Sequence, residues 1–118
     1  YRDSICKSFD DCVEKLYNKT VPIIKKERFT EFAMAKFTQE FMYTMFDIQN
    51  AFTSAKYDPE VASYITTHVS SVSSSYYDKA LNLVNSMPSF RELPDEAEVQ
   101  FYISILGTEP YRPYVPQE

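Results

Sequence analysis

The sequence predicts an all-α fold, a four-helix bundle built on one long antiparallel hairpin, and three observations carry that prediction. Glycine occurs once, at Gly107, and tight hairpin turns and bulges lean on glycine to reach positive φ, so a barrel or sandwich is disfavoured. Apolar residues recur at steps of three and four over two long stretches, which is the period of a helix face. Six of the nine phenylalanines and three of the four methionines fall between Phe29 and Ala55. Any core forms on that segment. With 118 residues the chain is read as one domain, 1–107, large enough to bury roughly two-thirds of its unfolded surface, followed by a tail, 108–118.

The first helix is expected over about 4–17, with apolar residues at Ile5, Phe9, Cys12, Val13 and Leu16. It sets Cys6 and Cys12 at odds. Six residues of helix separate two Cα atoms by about 9 Å, beyond the roughly 7 Å that a disulfide spans. Either the helix starts later, near Ser8 to Asp11, and the cysteines are bonded, or it starts at Ser4 and they are free or pair with another chain. The bonded version is adopted here, since a secreted chain with two cysteines usually joins them. The carboxylates Asp10 and Asp11 are read as belonging to this helix start.

Asn18-Lys19-Thr20 reads as an exposed turn and a candidate glycosylation sequon at Asn18. Thr20 with Val21-Pro22 reads as the start of a second helix, about 21–55, with proline in its first turn. Its stripe is Met34, Phe37, Phe41, Met45, Ile48, Phe52 and Ala55. Asp58-Pro59-Glu60 is the strongest local signal, an N-cap followed by proline at the first helical position. A third helix, about 59–86, follows, with Val61, Ile65, Val69, Val72, Tyr76, Ala80, Leu83 and Met87 as its stripe. Its Ser/Thr tract from Thr66 to Ser75 is poor helix material, because the hydroxyls compete for backbone hydrogen bonds. A fourth helix is expected over about 95–106, from an acidic first turn to Gly107. The tail repeats Pro-Tyr with period three, the period of polyproline II.

Several functions are excluded or disfavoured. A formal charge of −5 argues against nucleic acid, and no apolar run approaches the ~20 residues of a membrane span. No nucleophile motif, phosphate-cradling loop or metal-ligand spacing is present, so no catalytic residue, metal or cofactor is assigned. The lone histidine, His68, is read as a packed residue. The chain is therefore expected to be a non-catalytic, secreted or extracellular binding module. The cysteine pair, the sequon and a start at Tyr1 that would suit a processed chain motivate the location.

Two binding readings follow. The first is recognition of a protein partner through a tyrosine-rich surface (Tyr1, Tyr43, Tyr57, Tyr64, Tyr77, Tyr111, Tyr114), with Lys25, Lys26, Arg28, Tyr111 and Tyr114 as the contact residues. The alternative is carriage of a lipid or small apolar ligand between Phe37, Phe41, Met45, Phe52, Ile65 and Val69, where methionine would adapt to an irregular cavity.

Overall fold

A computed structural model describes residues 1–92, and within them the chain forms three helical rods and no strand. Helix α1 spans Arg2–Lys25. Helix α2, Thr30–Phe37, passes without interruption through a π turn, Thr38–Met42, into α3, Tyr43–Thr53. Helix α4 spans Pro59–Asn85. These belong to a compact unit, Tyr1–Pro88; of the second unit, Ser89–Glu118, the described part is a single 3-10 turn, Phe90–Glu92. The helix expected at 95–106 and the 108–118 tail lie outside the described residues.

The first correction concerns α1, which runs straight through the expected turn at Asn18-Lys19-Thr20. Its buried residues are Cys6, Phe9, Val13, Leu16, Thr20 and Ile24, an unbroken series of threes and fours that continues the apolar face eight residues past Leu16. Pro22 sits inside this helix. Its ring removes the donor that would bond the Asn18 carbonyl, which in a helix interior costs about 3 kcal/mol. Both residues are exposed, so water can take the freed carbonyl. Complete burial of Ile24 returns about 1.5–3 kcal/mol, and Thr20 anchors the same turn from inside. The second helix accordingly begins at Thr30, not at residue 21.

Starting there gives three rods of similar length: the rod from Thr30 to Thr53 equals α1, 24 residues, and α4 has 27. Contacts fix the directions. Along the second rod and α4, Met45 meets Ser73, Phe41 meets Tyr77, and the Thr30 amide donates to the Pro88 carbonyl. These two run antiparallel. Along α1 and α4, Tyr64 meets Asp3, His68 meets Asp10, and Tyr76 meets Tyr17. These two run parallel, so the path is up, down, up.

The π turn explains a second difference. In an α-helix each residue turns about 100°, so a step of four overshoots by about 40°. The buried series Phe29, Ala33, Phe37, Phe41, Met45 takes four such steps, a drift of about 160° that would carry one end out of the core. One extra residue, accommodated where the Tyr43 amide donates to the Thr38 carbonyl five residues back, re-registers the face by about 100°. The stripe expected from sequence takes Met34 as the residue before Phe37, although steps of three and four fit a helix equally. With the π turn, Ala33 is buried and Met34 is exposed.

Helix α4 begins as its sequence dictates: the Asp58 carboxylate accepts from the Val61 amide at 3.0 Å, with Pro59 at the first position. Its Ser/Thr tract remains helical because tertiary packing holds one side of it. Ser73 is buried, its hydroxyl 3.9 Å from the Met45 sulfur, a small residue that lets the rods approach. Thr66, Thr67, Ser70, Ser71 and Ser74 are exposed and form one uncharged outer face.

Candidate functional site

Because α1 and α4 rise together, residues further along α4 meet residues further along α1, and their seam carries the contacts of Arg2, His68 and Lys79. At its start the Arg2 guanidinium lies 4.1 Å from the centre of the Tyr64 ring, and the Tyr64 hydroxyl donates to Asp3 at 3.3 Å. One turn on, His68 Nε2 is 2.7 Å from Asp10 Oδ1, the two half-exposed, with the Phe9 ring edge-on beneath the imidazole at 6.4 Å. Two turns further, Tyr17 and Tyr76 meet at 5.2 Å with planes inclined by 60°, and the Lys79 ammonium sits above both. Asp10 is thus no helix-start carboxylate. It lies two turns inside α1 and orients the only histidine of the chain.

Cys6 and Cys12 stand on the same continuous helix and are free thiols, Cys6 buried and Cys12 exposed. The expected disulfide is overturned by the helix start at Arg2, which leaves no local unwinding to bring the sulfurs together. Burial pushes the Cys6 thiol up, and the charges of Asp10 and Asp3 push it further. The sequon is displaced in a similar way. Asn18 is exposed but lies on a helix, and Thr20 is 1% exposed, its hydroxyl donating to the Glu40 carbonyl in the π turn at 3.4 Å.

A second surface lies on α3. Tyr43 is 59% and Phe46 46% exposed, three residues apart and hence neighbours on the helix surface. Phe46 also meets Tyr77 of α4 at 6.3 Å. The remaining tyrosines named from sequence divide by environment. Tyr1 and Tyr64 are exposed, whereas Tyr57 and Tyr77 are half-buried. The Tyr57 hydroxyl donates to the Phe52 carbonyl at 2.9 Å and so closes the end of α3. The Tyr77 ring meets Phe37, Phe41 and Phe46, and its hydroxyl is buried with no hydrogen-bond partner among the described residues. Burial raises its pKa.

The six residues assigned to an apolar-ligand pocket are brought together, as core. Phe37, Phe41, Met45, Ile65 and Val69 are buried and Phe52 is half-buried. Phe37 stacks on Phe41 at 5.6 Å, and Phe9 meets Phe52 edge-on at 5.4 Å. Lys25 ends α1, Lys26 is its C-cap, and both are exposed, a placement that also complements the helix dipole. Arg28 is exposed in the following connection, and Tyr111 and Tyr114 lie outside the described residues. Among the described residues no His/Cys/Asp/Glu group is arranged to hold a metal ion, and no helix is long and apolar enough to cross a membrane.

No protein-family model, curated protein or solved structure matches the chain.

Proposed function

We propose that this chain is a non-catalytic recognition module that binds a protein partner through aromatic side chains displayed on a helical scaffold. The observation that carries this reading is the pair Tyr43 and Phe46, exposed side by side on α3 while Phe9, Phe37 and Phe41 are buried. Aromatic side chains concentrate binding energy at interfaces because they bring large, stiff area and few rotatable bonds. Lys25 and Lys26, both exposed, add local positive charge to a chain of net charge −5 and would steer an acidic partner surface. The extracellular location expected from the cysteine pair and the sequon loses those two grounds, because the thiols are free and Thr20 is buried.

The test uses the whole chain as bait beside its Tyr43→Ser/Phe46→Ser variant, with quantitative mass spectrometry of what each captures and a thermal melt of each. The expected result is a protein retained by the wild type and lost from the variant, which still unfolds cooperatively with a Tm lowered by no more than the loss of the Phe46 contact with Tyr77. An identical captured set would remove α3 as the recognition surface.

A further inference from the structure

The seam between α1 and α4 contains two aromatic rings that share one cation. Tyr17 and Tyr76 do not stack. Their planes, 60° apart with centres at 5.2 Å, form a corner, and the Lys79 ammonium stands 4.8 Å from the Tyr76 ring centre and 5.9 Å from that of Tyr17. Both distances fall within the roughly 6 Å over which a ring face attracts a cation. Lys79 pairs with no carboxylate among the described residues, so the rings are its principal neighbours. Glu14, on the α1 surface three residues before Tyr17, is exposed and likewise forms no ion pair there. Its charge reaches the corner: the Tyr76 hydroxyl is held above its ordinary range by burial first, then by Glu14, Asp10 and Tyr17.

We propose that the Tyr17–Tyr76 corner is a seat for a quaternary ammonium group, occupied in the free protein by the side chain of Lys79. The argument for that class of ligand is a competition. Lys79 is tethered three residues from Tyr76, so its ammonium acts at an effective concentration on the order of millimolar. A primary ammonium in solution is as strongly hydrated as the one it must displace and gains nothing by exchange. A quaternary ammonium is more weakly hydrated, keeps its full charge, and gives its methyl groups to the ring faces; recognition of such cations by aromatic walls is the established use of this geometry. Glu14 supplies the compensating negative charge at the rim. The proposal is independent of the α3 surface.

The experiment is an NMR titration of the full chain with tetramethylammonium chloride, read at the ring resonances of Tyr17 and Tyr76, against sodium chloride at equal ionic strength. Saturable shifts confined to those rings are expected, with binding about tenfold tighter in Lys79→Ala, where the internal competitor is gone. In the Lys79→Ala background, Tyr76→Phe retains binding, Tyr76→Leu loses it, and Glu14→Gln weakens it several-fold. Should Tyr76→Leu fail to fold, the wild type, Lys79→Ala and Glu14→Gln decide the matter, since Lys79 and Glu14 are exposed. Shifts that stay linear in concentration, that sodium reproduces, or that do not tighten in Lys79→Ala overturn the proposal. Two further titrations separate the sources of the group. Binding of choline without binding to phosphatidylcholine vesicles assigns a free solute, and binding of both assigns a lipid headgroup.

Discussion

Tyr77, whose ring packs against Phe37, Phe41 and Phe46, buries a hydroxyl where nothing described accepts its proton. A buried donor left unpaired costs about 1–3 kcal/mol of lost hydration, and phenylalanine keeps the ring while removing that cost. Tyr77→Phe is therefore expected to raise stability by about 1 kcal/mol, seen as a Tm a few degrees higher; a fall of similar size would mean that the hydroxyl has an acceptor. The cysteines give a second residue-level expectation. Alkylation of the native chain should modify Cys12 promptly and Cys6 only on unfolding, since the thiolate is the nucleophile and Cys6 is both buried and held protonated. The raised Cys6 pKa also makes stability depend on pH. Between the unfolded and folded pKa values the native state binds more protons, so this contribution to stability is complete below the ordinary thiol range and is lost as pH rises through the raised value. Rapid modification of both thiols at neutral pH would contradict the burial of Cys6.

At the scale of elements, the π turn is the feature on which the second rod depends. Removing one residue there would turn the buried series Phe29, Ala33, Phe37, Phe41, Met45 into steps of four, four, three and four, a regular α-helical stripe. Deletion of the exposed Gln39 is expected to leave a folded, cooperative protein, weakened by about 1 kcal/mol through loss of the Thr20 bond to the Glu40 carbonyl. Deletion of the equally exposed Ser71 would turn half of α4 by about 100° against the core and abolish cooperative unfolding. Circular dichroism melts of the two deletions check this, and equal damage from both would argue against a π turn. The sequence could not announce this turn, because a stripe is read with one period throughout, and either Ala33 or Met34 satisfies a step back from Phe37. The α4 start was legible, since Asp58-Pro59-Glu60 acts locally. The run of α1 through Asn18-Lys19-Thr20 and Pro22 was not: those turn signals are local, whereas the burial of Thr20 and Ile24 that outweighs them depends on the second rod. The Asp10–His68 pair joins residues 58 apart in sequence, so no spacing rule finds it.

At the scale of the whole molecule, the Phe- and Met-rich segment that first suggests a ligand cavity is spent on packing. Phe41 alone meets Phe37, Tyr17 and Tyr77 within 6.4 Å, and Met45 is closed in by Ser73. A lipid would have to part those rings at the expense of contacts worth several kcal/mol in total. Among the described residues, the outer surface offers the aromatic pair on α3, the cation-bearing seam and the hydroxyl face of α4. Recognition at the surface of a filled core is the central claim. Native mass spectrometry of the purified full chain, followed by organic extraction, tests it most directly. The account predicts the mass of the polypeptide alone and an extract free of stoichiometric lipid. A co-purifying apolar molecule, released only when the chain unfolds, would contradict it and return function to Phe37, Phe41, Met45, Phe52, Ile65 and Val69.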